Sequence, residues 1–369
     1  MAATAAARLS SAAVLVAAIT LSATTRLAAQ EGSCRQCRIT VDSVGSIGGG
    51  DAEGSFPSFP TAMARDSQGR LFAAFSRHPP LAYSPRLEFL GPIGGIGDGP
   101  GETRRPSVVF VDQSDSVHVF DKQLGRHSVF APSLRFVRSA PSISAVDAVA
   151  LTSDHQWIFN ASILDRDRTG LPFHAFDRNG RYVRSFGATD GRVTQSDDLS
   201  LTVRRLWAAS TGGVWSVPWT HEYRIERWSS TGALLQSARP TTSWFRPYVR
   251  LSDVRVTPTR APAGRVAAVF EDDQQRVWVL GHAAAVQWAR GIGPAEPGED
   301  GRLYHDITDR ARVFDTMIEV YDARSLTLLV RHRVARPIDF ALGNGWVAAI
   351  REDDDGRLRA DILRLTLHR

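Results

Sequence analysis

The chain has 369 residues, 43% of them hydrophobic and 22% charged, with a formal charge of +5 at pH 7. That balance builds a packed core and excludes a disordered, highly charged chain. Lys122 is the only lysine among the 44 basic residues, and acids and arginines are interspersed without a basic block, so no nucleic-acid partner is expected.

At the N-terminus, Arg8 precedes an uncharged apolar stretch from Ser11 to Ser22, and Leu27-Ala-Ala29 forms a small-residue cleavage site before Gln30. The pattern predicts a signal peptide over residues 1–29 and a single exported domain over 30–369, periplasmic or extracellular. Arg26 is unusual so near a cut, which leaves an uncleaved anchor as the alternative. Later segments are too short and too polar to span a bilayer, which takes about 20 apolar residues.

Cys34 and Cys37 are the only cysteines. Glu31 stands three residues before Cys34, where lipidation signals carry Leu. In an oxidising compartment the pair is a disulfide candidate. A redox centre would place the motif at a helix start, and here it runs into the strand-like Arg38-Ile-Thr-Val41. A zinc site would need two further ligands at suitable spacing, and there is no second Cys pair.

Short alternating runs separated by Gly, Asp, Asn and Ser turns fill the rest, with almost no helical period. The hairpin Thr61–Phe75, with Asp66 and Gly69 at its turn, recurs as Ser107–Asp112 and Ser116–Asp121. Arg126–Ala131 and Arg135–Ala140 complete that group of four. The third group is Val146–Thr152, Gln156–Ala161, Phe173–Asp177 and Tyr182–Gly187. The fourth is Arg204–Ser210, Gly213–Trp219, Tyr223–Ser229 and Ala233–Ala238. The fifth is Val266–Asp272, Arg276–His282, Met317–Asp322 and Thr327–Arg333. The last, Ile338–Leu342, Gly345–Glu352 and Arg357–His368, is one strand short, and Arg38–Gly48 can supply it. The expected fold is therefore all-β: a six-bladed β-propeller of four-stranded antiparallel blades, closed by its N-terminal strand.

Two segments, Phe89-Leu-Gly91-Pro-Ile-Gly94-Gly-Ile-Gly97-Asp-Gly-Pro-Gly-Glu102 with Pro106 and Val111-Asp112, and Phe176-Asp-Arg-Asn-Gly-Arg-Tyr-Val-Arg-Ser-Phe-Gly187, carry a resemblance. On them the chain resembles bacterial six-bladed propellers of the NHL-like type. Thr103 departs from the pattern, which has Phe or a similar residue there. The resemblance implies the architecture and leaves function open, since propellers host both binding modules and enzymes.

Propeller geometry sorts the long insertions Asp98–Pro106, Ser162–Pro172, Ala188–Leu201, Arg239–Gly264 and Ala283–Asp315 onto one face, the expected binding face. Arg104, Arg105, Trp244, Phe245, Tyr248 and Trp288 are its candidate contacts, for an unknown protein or carbohydrate ligand. Gly-x-Ser-x-Gly, His-Glu-x-x-His and phosphate-loop motifs are absent, so no catalytic residue is assigned. No cofactor or metal is assigned either. Asp165 and Asp167 lack the further acids of a helix-hand calcium loop, and Asp353–Gly356 reads as a hairpin turn. The leading expectation is a monomeric binding or interaction module. The alternative is a calcium-type, lactonase-like hydrolase with acidic ligands converging at the channel mouth.

Overall fold

A computed structural model of the chain describes residues 32–50, 52–144, 146–163, 167–187, 202–248, 256–299, 301–353 and 355–369. The expected signal peptide lies outside them, as do Asp165 and the whole Ala188–Leu201 insertion.

The strands follow chain order closely. β1 (Arg38–Gly48) comes first. Blade 1 is β2 (Ala62–Arg65), β3 (Leu71–Phe75), β4 (His78–Tyr83) and β5 (Phe89–Pro92). A short parallel pair, β6 (Gly95–Ile96) and β7 (Glu102–Thr103), leads to blade 2: β8 (Pro106–Val111), β9 (Val117–Asp121), β10 (Arg126–Phe130) and β11 (Phe136–Pro141). Blade 3 is β12 (Val146–Leu151), β13 (Trp157–Ala161), β14 (Phe173–Phe176) and β15 (Tyr182–Phe186). Blade 4 is β16 (Arg204–Ala208), β17 (Val214–Pro218), β18 (Ile225–Trp228) and β19 (Leu234–Ala238). Blade 5 opens with β20 (Arg265–Glu271) and β21 (Arg276–Ala284). An insertion with hairpin β22 (Ile292–Pro297) and β23 (Leu303–Ile307) and one helical turn, α1 (Arg310–Val313), then precedes β24 (Phe314–Asp322) and β25 (Leu328–Val334). Blade 6 is β26 (Phe340–Gly343), β27 (Trp346–Glu352) and β28 (Leu358–His368), with β1 as its fourth strand. Each inner strand touches the next, and β26 touches β2, which closes the ring.

The turns follow from a recurrent side-chain device. Asp66, Asp112, Asp177, Asp272 and Asp353 each accept backbone N–H bonds from residues two or four positions on. Such short acceptors compete well with a continuing ladder and so reverse the chain. The fourth turn residue takes a positive φ, at Gly69, Gly180, Gly232 and Gly356 but also at Asp115, His155 and Gln275. Glycine accepts that conformation without strain, whereas a side chain there costs free energy.

Packing is organised between blades. Among the described residues six buried clusters occur, and each joins two neighbouring blades. The second strands β3, β9, β13 and β17 are buried at every position because each has a neighbouring blade on both faces. This is why Leu71–Phe75 and Val214–Pro218 are nearly continuous apolar runs. The outer strands β11, β15 and β19 face solvent along much of one side and expose Val137, Tyr182 and Leu235.

β1 serves two seams. Ile39 pairs with Leu367 and packs between blades 5 and 6, while Ile47 pairs with Ala360 and packs between blades 6 and 1. Residues eight apart on a regular strand share a face. A bulge between Ser43 and Gly45 inserts one residue and turns the second half over. Ahead of it, Cys34 and Cys37 form a disulfide. Ser33 and Cys34 donate to the carbonyls of Leu328 and Leu329 on the edge of β25, and Cys37 is buried in the seam of blades 5 and 6. The N-terminal segment thus fastens both blades.

A chain shortened to begin at Gly49 should lose at least about 5 kcal/mol, since two seams open and two isoleucines lose their burial. Urea unfolding monitored by near-UV circular dichroism measures this. A midpoint equal to that of the chain beginning at Gly32 would show that β1 is dispensable.

Candidate functional site

The six inner strands run in one direction, so their first residues gather at one end of the central channel. This end lies on the face that carries the long insertions. The channel encloses about 1260 Å³. Its mouth is lined by Asp147 from β12, Arg205 from β16, Arg265 from β20 and Asp339 just before β26. Blade 1 contributes the uncharged Phe59, Pro60 and Thr61. The blade 5 insertion adds Arg310 from α1.

Each arginine lies over an aromatic ring, which fixes the guanidinium plane. Arg205 is 5.6 Å from the Trp219 ring, Arg265 is 4.8 Å from Phe314 and Arg310 is 5.0 Å from Phe59. Arg205 Nε donates to the Val266 carbonyl at 3.3 Å, and Arg265 Nε donates to His282 Nδ1 at 3.2 Å. His282 Nε2 donates to the Ile338 carbonyl at 2.8 Å, so this histidine is the neutral tautomer with Nδ1 as acceptor. Burial pushes its pKa down to about 3, with the Asp339 charge opposing that shift.

Both arginines are therefore held through Nε alone. Among the described residues their Nη groups find no acceptor. Burial lowers both pKa values to about 10, which leaves both charged at neutral pH. Arg310 donates to Asp339, which also accepts from the Ile350 N–H, and Arg310 Nη1 is buried without an acceptor. Asp147 is open to the lumen yet walled by protein, and desolvation raises its pKa against the charges of Arg205 and Lys122. Unsatisfied donors in a partly dry site cost free energy until an acceptor arrives.

The residues expected from sequence distribute differently. Tyr248 comes beside the collar: its ring lies tilted against His221 at 4.6 Å, it interacts electrostatically with Arg265, and its phenol pKa is raised by burial. Phe245 is only 4% exposed and packs between blades 4 and 5. Trp244 packs edge-on against Tyr223, donates Nε1 to buried Glu319 at 2.9 Å and covers Gly281, where a Cβ would lie 2.1 Å from the indole. These two rings pin their insertion to the blades, Phe245 fully and Trp244 with part of its surface still exposed. Trp288 sits half-buried in a 3-10 turn. Arg104 is exposed but holds Asp98 through two hydrogen bonds, and Arg105 is exposed with its backbone N–H bound to Asp121. Arg205, Arg265, Arg310, Asp147 and Asp339 were not singled out from sequence. For Asp147, Arg205, Arg265 and Asp339 the signal was a charged residue at the start of an otherwise apolar inner strand, whereas Arg310 lies in the blade 5 insertion.

Elsewhere, Asp112 Oδ2, His118 and His127 form a buried chain with contacts of 3.0 and 2.8 Å, and His127 stacks on Phe120 at 4.3 Å. Asp353 accepts from Asp355 and Arg357 within its turn. Among the described residues no three His, Cys, Asp or Glu side chains are gathered to hold a metal ion, and no helix is long and apolar enough to cross a membrane.

No protein-family model matches the chain, and no curated sequence matches it. Solved structures do. The chain is similar to a "Putative exported protein" from Bacteroides fragilis, with a TM-score of 0.58 and 9% identity over 92% of this chain and 97% of that one. It is likewise similar to a member of the DUF4221 family from Bacteroides vulgatus, with a TM-score of 0.58 and 8% identity over 89% and 98%. At such identities the likeness concerns the fold. The chain is a six-bladed β-propeller.

Burial also holds the pKa of His127 down to about 3, with the His118 charge adding to the shift. Both His127 and His282 are neutral in the fold, whereas an unfolded histidine titrates near 6.5. Stability is therefore complete above pH 6.5 and falls as the unfolded chain gains two protons that the fold refuses. Each histidine approaches a loss of about 1.4 kcal/mol per pH unit below its unfolded pKa, so roughly 3 kcal/mol should be lost between pH 6.5 and 5. Urea titrations at both values measure it; equal unfolding free energies would contradict the neutral assignments.

Proposed function

We propose that this protein is an exported binding module of the NHL-like propeller type that captures an anionic group at the arginine collar. The supporting observation is the pair Arg205 and Arg265, each stacked on or beside a ring and tethered through Nε, with Nη donors unpaired among the described residues. A planar fork presented edge-on matches carboxylate or phosphate oxygens with two parallel hydrogen bonds. His282 sets the orientation of one fork and the Val266 carbonyl that of the other, so little reorganisation opposes binding. Export rests on the apolar segment after Arg8 and the small-residue site before Gln30. A small-molecule or peptide carboxylate replaces the aromatic-mediated protein or carbohydrate contact expected from sequence, because Trp244 and Phe245 are committed to packing.

The charge at the mouth also bears on the metal-dependent alternative. Three guanidinium groups share the collar with two carboxylates, and one of those carboxylates, Asp339, is already bound to Arg310. Their combined field favours an anion over a divalent cation.

Isothermal titration of the mature chain with small carboxylates and phosphate tests the reading. Binding is expected to weaken at least about tenfold in Arg205→Met and in Arg265→Met, the loss of one charge-assisted fork being worth about 1.5–3 kcal/mol. Undiminished affinity in both variants, or no anion bound by the parent chain, would overturn it.

A further inference from the structure

Below the collar the channel changes character. Its wall is made of small or apolar residues contributed by successive inner strands, with Ala62, Ala64, Phe110, Ala148, Ala208 and Ala341 all partly open to the lumen. With inner strands of four to seven residues, this bore runs for roughly 15–20 Å at about 3.3 Å per residue. At its far end Asp273 is exposed and the other lining acids are engaged already. Asp66 is bound by Arg70, Asp112 by His118, Glu271 by Ser210 and Trp215, and Asp272 by Arg276 and Trp278. The Nη donors of Arg205 and Arg265 stand at the mouth with the apolar wall beneath them, and at the far end Arg65 lies over the Trp346 ring at 4.5 Å.

Resting on the collar reading above, we propose that the ligand is an amphiphilic carboxylate, with its head between Arg205 and Arg265 and an aliphatic or aryl body lying along the alanine-lined bore. Two arguments carry this. First, the mouth is asymmetric: blades 3 to 6 supply every charge, while blade 1 supplies Phe59, Pro60 and Thr61, so a wholly polar polyanion would leave half the rim unused. Second, alanine on blades 1, 3, 4 and 6, with Phe110 on blade 2, keeps the bore wide and apolar between the collar and the far end, a wall that rewards burial of apolar ligand surface. The space of about 1260 Å³ holds a ligand of ordinary metabolite size together with water.

The test compares acetate, hexanoate and 1-hexanol on the mature chain by isothermal titration, with no substitution and hence no question of folding. Each buried methylene adds about fourfold in affinity. Hexanoate, with its extra chain fully buried, should therefore bind about 250-fold more tightly than acetate, and about 20-fold with half of it buried, and 1-hexanol should bind at least about tenfold more weakly than hexanoate. Acetate and hexanoate binding equally would overturn the amphiphile inference while leaving the anion site standing. Equal binding of 1-hexanol and hexanoate would overturn the role of the arginines. No binding by any of the three would overturn both readings.

Discussion

Among the described residues, no blade of this protein has a core of its own. Apolar side chains from each sheet meet those of the next, and the six buried clusters are the six seams. The hydrophobic term is therefore realised only when the ring is complete, because an open arc leaves two apolar faces in water. Closure falls to β1, which reaches back to β28 at the opposite end of the chain. Its bulge is the local cost that lets one strand fill two seams, since only an extra residue allows Ile39 and Ile47 to point to opposite faces. The disulfide at Cys34 and Cys37 and the hydrogen bonds from Ser33 and Cys34 to β25 tie the same segment to blade 5.

The collar is a product of that closure. Arg205 and Arg265 come from adjacent blades and are close enough for the charge of one to depress the pKa of the other. Two like charges at close range in a partly buried mouth persist because Asp147 and Asp339 flank them, aromatic faces support them and fixed acceptors take their Nε hydrogens. What these supports leave open is the outer edge of each guanidinium. Structure thus leaves two guanidinium edges open at the mouth of the lumen, whereas at the far end Asp66, Asp112, Glu271 and Asp272 are engaged by turn backbone and by neighbouring side chains.

Much of the fold was legible because its signals are local. Asp and Gly at hairpin corners marked strand ends, the count of strand groups left one position vacant, and Arg38–Gly48 filled it. Less visible were turns in which Asp115, His155 or Gln275 takes the positive φ that glycine usually holds, since neighbouring contacts such as those from Ser67 to Asp115 override local preference. The insertion after β21 read as loop, yet it folds into a hairpin and a helical turn that delivers Arg310. The candidate site was harder still. Trp244 and Phe245 looked like ligand contacts because composition does not reveal that Glu319 and Gly281 await Trp244 on blade 5, or that Phe245 fills the seam beside Tyr223. Arg205 and Arg265 lie 60 positions apart and acquire joint meaning only where six strand starts converge.

The most direct test is the position of a bound carboxylate. Crystals soaked with 6-bromohexanoate would locate the bromine by anomalous scattering and the carboxylate by ordinary difference density. The carboxylate is expected between the Nη groups of Arg205 and Arg265, with bromine down the bore beside Ala148 and Ala208. Bromine on the outer rim of the blades, or a carboxylate bound away from both arginines, would contradict the account.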